Sequence, residues 1–209
     1  MSEHFFATCP RGLEQALADE LVPLQAGNVA TVAGGTKFEG EYPLCYRVNL
    51  HSRIASRVLW RIAQGDYRSE QDIYKACLAL PWPDWFSVDK SLMVKVSAQH
   101  CSLKSLNFVT LRIKDAVCDR FRNATGRRPS VDTGSPQVRI YAFLEENLYE
   151  LYIDTSGPAL FQRGYRKSSV PAPLRENLAA GIIKLSGWSP DQPFFDPMCG
   201  GATLLIEAA

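Results

Sequence analysis

The residues best suited to chemistry lie in one run, Phe194-Phe195-Asp196-Pro197-Met198-Cys199-Gly200-Gly201-Ala202-Thr203-Leu204-Leu205-Ile206-Glu207-Ala208-Ala209. Two aromatics lead into an acid, a glycine-bearing turn follows, and an apolar run begins at Thr203. That order predicts a strand at Phe194, a tight turn and then a helix. Glycines let a backbone pass close to a ligand, and a helix start offers unpaired N–H groups to an anion or carboxylate. Cys199 is the one thiol in the run. The three histidines, His4, His51 and His100, are all distant from it in sequence, so it reads as a packing thiol rather than a nucleophile.

Elements to position such a turn are plentiful. The chain has 209 residues, 46% hydrophobic and 22% charged, with a net charge of +1. This is ample for a buried core, and nothing global demands a nucleic acid, so that reading must rest on local patches. Six cysteines without a C-x-x-C pair argue against structural zinc or a disulfide framework. They fit a reducing cytosol. The start, Met1-Ser2-Glu3-His4, lacks the basic and apolar pattern of a signal peptide, and no apolar run is long enough to span a bilayer. A cytoplasmic protein without metal or membrane partners is expected.

Taken in order, His4 to Thr8 reads as a strand stopped by Pro10. Leu13, Ala16, Leu17, Leu21 and Leu24 then recur at helical spacing within residues 12–25. Two short strands flank Gly34-Gly35, a hairpin signal. A helix over 44–54 and a strand over 56–63 complete a β-α-β-β-α-β unit, which is ferredoxin-like. A second α/β unit follows. It has a helix over 71–80, a Pro81-Trp82-Pro83 breaker, an alternating strand over 91–98 and the longest helix, over 106–123. A basic loop, Gly126-Arg127-Arg128-Pro129, precedes strands at 138–144 and 149–154. On the long helix Val109, Ile113, Ala116, Val117 and Phe121 share an arc of roughly 140°. Arg120 falls inside that arc and must snorkel or find a partner. Gly157-Pro158 marks a linker, and Pro171-Ala172-Pro173 opens a third piece with a helix over 174–186 closed at Gly187. The expected domains are 1–65, 66–155 and 171–209, with 156–170 as linker. Trp82, Trp85 and Phe86 read as core rather than as a stacking platform.

Three motifs occur in series: Phe161-Gln162-Arg163-Gly164-Tyr165-Arg166, then Ala172-Pro173-Leu174-Arg175-Glu176-Asn177-Leu178-Ala179-Ala180, then Asp196-Pro197-Met198-Cys199-Gly200. With the opening Phe6-Ala7-Thr8-Cys9-Pro10-Arg11-Gly12-Leu13-Glu14, the series resembles the THUMP-containing ribosomal RNA guanine-N2 methyltransferases, many of which carry the name adenine-specific DNA methylase. The resemblance covers essentially the whole chain and is specific in its last 50 residues. It implies an α/β (α+β) protein with a ferredoxin-like N-terminal domain, a THUMP RNA-binding domain and the start of a Rossmann-like methyltransferase domain.

It also implies S-adenosylmethionine as cofactor and large-subunit ribosomal RNA as partner. By the resemblance Phe161, Arg163, Gly164, Leu174, Arg175, Glu176, Asp196, Pro197, Met198, Cys199, Gly200 and Thr203 line the cofactor pocket. Asp196 would address the cofactor's ammonium and Gly200 would permit close backbone approach. The family usually has Ser-Gly where this chain has Gly201-Ala202, and the added methyl at Ala202 would crowd the cofactor if that backbone needs a positive φ. The ribose-holding acid and the Asn/Asp-Pro-Pro-Tyr element that grips the target amine are not found in these 209 residues. No catalytic residue is expected here, and the chain alone is expected to be inactive. Lys104, Arg112, Lys114, Arg127 and Arg128 are expected to form a basic RNA face that tracks phosphates without reading sequence. Two other readings stay open: an adenine-N6 nucleic-acid methyltransferase, and a non-catalytic THUMP RNA-binding module.

Overall fold

A computed structural model describes residues 2–165 and 173–209. Arg166 of the first motif, Ala172 of the second, and Pro171 at the expected start of the third domain lie outside the described residues. The chain divides into two compact units, residues 1–60 with 158–209, and residues 61–157.

In the first unit, β1 (Glu3–Thr8), α1 (Glu14–Leu21), β2 (Gly27–Val32), β3 (Gly35–Gly40), α2 (Leu44–His51) and the start of β4 (Arg57–Asp66) follow the expected β-α-β-β-α-β order. The strand order is β2-β3-β1-β4, and β3 pairs antiparallel with both β1 and β2. Alternation along β1 sends Phe5 and Ala7 into the core, where Phe5 faces its register partner Phe38 with ring centroids 5.3 Å apart. The buried stripes of α1 (Ala16, Leu17, Leu21) and α2 (Leu44, Cys45, Val48) belong to the same core.

The carboxylate of Glu14 ties two loops of this unit together, accepting N–H groups from Gly34 at 3.0 Å and Gly12 at 2.8 Å. These hydrogen bonds, the one from Gly34 first, hold its carboxyl below the usual range. The nearby Cys9 thiol is pushed up to about 12, by burial first and the Glu14 charge second, so it is inert.

The C-terminal segment of the unit contributes α6 (Glu176–Ser186) and α7 (Thr203–Ala208). α6 runs against α1, and Gly181 makes that approach possible, because a Cβ there would overlap the Leu13 side chain.

In the second unit the order along the sheet is β4-β7-β6-β5, from β5 (Leu92–Gln99), β6 (Val138–Glu145) and β7 (Leu148–Asp154). β5 and β6 are parallel, whereas β6 and β7 form an antiparallel hairpin. Its turn is Glu146-Asn147, with Glu146 at φ 48. α3 (Glu70–Ala79) starts on a Ser69/Asp72 capping box, a local reason for the helix to begin there. α5 (Leu106–Thr125) is capped by Ser105, whose hydroxyl accepts from the Phe108 N–H at 3.2 Å, and ends at left-handed Gly126.

The expected arc of α5 is buried, with Cys118 added. Arg120 is half-buried, and its Nε finds no hydrogen-bond partner among the described residues. Trp82 is fully buried in the short helix α4 (Trp82–Trp85), its indole N–H donating to the Cys77 carbonyl at 2.7 Å, and Trp85 and Phe86 pack beside that core. Among the described residues no helix is long and apolar enough to cross a membrane.

One expected element is absent. Residues 193–196 are not a strand. No neighbouring strand runs beside them among the described residues, and a lone strand leaves its N–H and C=O groups unpaired. Instead Phe194 packs edge-on against Trp188 at 5.3 Å.

Candidate functional site

The run singled out by its chemistry forms a compact turn. One Asp196 carboxylate oxygen, Oδ1, accepts the Met198 N–H at 3.0 Å, the usual way a short acid stabilises a turn two residues on. Ala202 donates its N–H to the Cys199 carbonyl at 2.7 Å, and α7 follows. Gly200 sits at φ 51 and Ala202 at φ 57, so two residues of this turn are left-handed and one of them carries a Cβ. Met198 and Cys199 are exposed, Asp196 is half-buried, and Thr203 is buried.

The turn is anchored from behind by a buried carboxylate. Glu207, on α7, has a side chain 1% exposed. Its Oε2 accepts from Arg163 Nη1 at 2.7 Å and from Arg53 Nη2 at 3.1 Å, and its Oε1 accepts from the Tyr165 hydroxyl at 3.1 Å. Arg53 also donates to the Glu207 carbonyl, and Arg163 Nη2 donates to the Arg53 carbonyl at 2.7 Å. A carboxylate this deep is tolerated only when paired and hydrogen-bonded, and two guanidinium groups with a phenol supply that. A second tie lies on α6, where buried Asn177 donates through Nδ2 to the Ile54 carbonyl at 3.1 Å and to Ser56 Oγ at 2.9 Å.

The expected pocket residues are placed as follows. Asp196, Pro197, Met198, Cys199, Gly200 and Thr203 come together in the turn. The Arg163 guanidinium is engaged with Glu207 and the Arg53 carbonyl. Gly164, at φ 79, turns the chain between Arg163 and Tyr165. Arg175 lies over the Phe161 ring, 5.2 Å from its centroid. Leu174 is half-buried, and Glu176 is buried at the first turn of α6.

Sequence reasoning missed Arg53, Tyr165, Asn177 and Glu207. The available signal was Glu207 itself, an acid inside the apolar run Leu204-Leu205-Ile206-Glu207-Ala208, which requires a partner if that face is buried.

The five basic candidates do not gather on one face. Arg112 and Lys114 are two residues apart on α5, about 200° around the helix. The Arg112 guanidinium stacks over Tyr74, 4.1 Å from the centroid, and donates to Gln71. Lys114 pairs with Asp115 at 2.7 Å. Lys104 precedes the helix, while Arg127 and Arg128 follow its last residue, about 30 Å along it. Arg127 pairs with Asp89 at 2.7 Å, with both side chains 65% exposed. Lys104 and Arg128 are exposed, with no ion-pair partner among the described residues. No cluster of three or more metal-ligating side chains occurs among the described residues.

Comparison with known proteins matches this architecture segment by segment. Residues 4–59 match the RlmL ferredoxin-like domain, residues 67–154 the THUMP domain, and residues 163–209 the RMKL-like methyltransferase domain. The ribosomal RNA large subunit methyltransferase K/L of Aeromonas salmonicida is 42% identical over 99% of this chain. The chain spans 29% of that relative's length. Among solved structures, a predicted N6-adenine-specific DNA methylase from Listeria monocytogenes superposes with a TM-score of 0.88. It is 31% identical and covers 100% of this chain and 55% of its own. The structure of SMU.472 complexed with SAH gives a TM-score of 0.85 at 30% identity, covering 99% of this chain and 55% of its own.

The chain thus matches a ferredoxin-like domain, a THUMP domain and a methyltransferase domain in turn, in the order its motifs imply. Its similarity to the K/L enzymes runs through all three segments.

Proposed function

We propose that the chain is the RNA-binding N-terminal part, with the opening of the cofactor domain, of a cytoplasmic S-adenosylmethionine-dependent methyltransferase. Its target on this reading is the exocyclic N2 amine of a guanine in large-subunit ribosomal RNA. The observation that carries the reading is the Asp196–Thr203 turn standing in series with a THUMP domain. The turn fits the cofactor: Asp196 Oδ1 is held by the Met198 N–H, leaving Oδ2 for an ammonium group, and the backbone of Met198 to Gly200 is exposed.

When bound, S-adenosylmethionine supplies an electrophilic methyl group on a sulfonium. The chain's own residues bind and orient. Asp196 neutralises and directs the ammonium end, and Phe161 and Arg175 offer a stacked rim. Such a displacement asks for positioning and a dry pocket more than for an acid–base pair. Lys104 and Arg128, with the surface-paired Arg127, offer phosphate contacts at the two ends of α5.

Methyl transfer from labelled S-adenosylmethionine to purified large-subunit ribosomal RNA, by the protein that contains this chain, tests the reading. Asp196→Ala removes one charge-assisted contact and is expected to weaken cofactor use about 10- to 100-fold. Unchanged transfer by that variant would count against the assigned turn. The name borne by the Listeria relative favours an adenine-N6 product as the second reading, and hydrolysis of the labelled RNA to nucleosides distinguishes the two amines.

A further inference from the structure

We propose that Arg53, in the loop between α2 and β4 of the ferredoxin-like segment, is a positioning residue for the methyl-donor turn, acting through Glu207. A chain of contacts within one compact unit carries the proposal. Glu20 on α1 grips the loop, its carboxylate accepting from Ser52 Oγ at 2.7 Å and from the backbone N–H groups of Arg53 and Ile54, both at 3.2 Å. The loop in turn holds α7. Arg53 donates both to the Glu207 carboxylate and to its backbone carbonyl, so it fixes the axial position of the helix as well as its side chain. α7 begins at Thr203, directly after the left-handed Ala202 that closes the turn. A displacement of α7 along its axis therefore moves the turn by a similar distance.

The geometry is more than a surface ion pair. Glu207 is buried with a side chain 1% exposed, and Arg163 reaches both that carboxylate and the Arg53 carbonyl. The two guanidiniums thus lock each other around one acid. The segment that binds the donor on the reading above takes its register from a loop of the N-terminal segment, more than 140 residues earlier in the chain. Deleting or loosening that loop would leave the turn's sequence intact and its placement undefined. The inference that this matters for the donor rests on the cofactor reading; the mechanical link does not.

Two measurements separate these parts. Amide hydrogen exchange in wild type, Arg53→Met and Arg53→Lys reads the link directly. Met keeps the stem and removes the charge; Lys restores a cation without the fork. We expect amides of residues 196–208 to exchange about tenfold or more faster in Arg53→Met, with Arg53→Lys in between, while amides of β6 and α5 stay unchanged and report an intact fold. Unchanged exchange at 196–208 in Arg53→Met would overturn the proposal.

The second measurement is S-adenosylmethionine affinity, by calorimetry on the same three proteins. A weakening of about tenfold in Arg53→Met, largely recovered in Arg53→Lys, supports the positioning role. Loosened amides with unaltered affinity would overturn it. A wild-type protein that binds no cofactor, yet shows the exchange response, supports the link and instead overturns the cofactor reading.

Discussion

Glu207 and Arg163 lie 44 residues apart in sequence and 2.7 Å apart in space, with the carboxylate almost wholly withdrawn from solvent. Removing one partner of such a pair leaves a charge in a poorly solvated place, which costs about 3–5 kcal/mol where nothing else compensates. Arg53 and Tyr165 still reach Glu207, so Arg163→Ala should cost about 2–3 kcal/mol, below that range. Urea unfolding of the unit containing α7 measures it. Arg163→Ala combined with Glu207→Gln should cost less than the two changes summed, because the second substitution removes the charge that the first strands. Strict additivity would show that the two side chains do not depend on one another.

Ala202 holds a backbone conformation that disfavours any Cβ, at φ 57. The left-handed region costs an L-residue about 1–2 kcal/mol, while glycine's greater freedom in the unfolded chain costs about 0.5–1 kcal/mol. Ala202→Gly should therefore stabilise the protein by roughly 0.5–1 kcal/mol. It should leave cofactor affinity equal or improved, since the turn is freed rather than altered. A loss of stability on thermal unfolding would contradict this account of the turn.

Glu14 makes the protein's stability depend on pH in a defined direction. Its carboxyl is held below the ordinary value of 4.5, first by the Gly34 N–H. Because the folded-state pKa is depressed, the stabilisation is present above the unfolded value and is lost as pH falls through the folded one. Glu14→Gln should be less stable than wild type at neutral pH, and the difference should shrink as the solution is taken below about pH 4. A difference independent of pH would assign the effect to packing instead.

How far the sequence could be read depended on whether the signal was local. The α5 core stripe was visible because one helix carries its own period, and the buried residues Val109, Ile113, Ala116, Val117 and Phe121 fall on the arc that spacing predicts, Cys118 lying outside it. Trp82, read as core with Trp85 and Phe86, is fully buried. The strand at Phe194 was not legible, because forming it depends on a neighbour, not on the aromatic pair. The Arg53–Glu207 contact joins residues 154 apart, and no local pattern specifies such a pairing. The motif resemblance implies a pocket role for Arg163, and no local pattern foretold that it also clamps Glu207 and the Arg53 carbonyl. The five basic residues were grouped on the strength of the THUMP resemblance; helical phase and the length of α5 separate them.

That separation sharpens the expectation for RNA. Arg127 and Arg128 lie at one end of α5 and are exposed, and the Arg127–Asp89 pair is a surface contact worth little in itself. Changing both to Ala should weaken all structured RNAs alike and make the slope of log K against log salt shallower by roughly one to two units. Lys104→Ala, at the far end, should act independently. Wild-type affinity and slope in the double variant would remove this loop from the RNA surface.

The central claim is the reaction. It is tested most directly by nucleoside mass spectrometry of large-subunit ribosomal RNA from cells lacking the gene that encodes this chain. The strain is complemented with the natural protein or with its Asp196→Ala variant. The account predicts loss of one N2-methylguanosine, its return with the natural protein, and its continued absence or strong reduction with Asp196→Ala. Unchanged N2-methylguanosine in the deletion strain, or loss of N6-methyladenosine in its place, would contradict it.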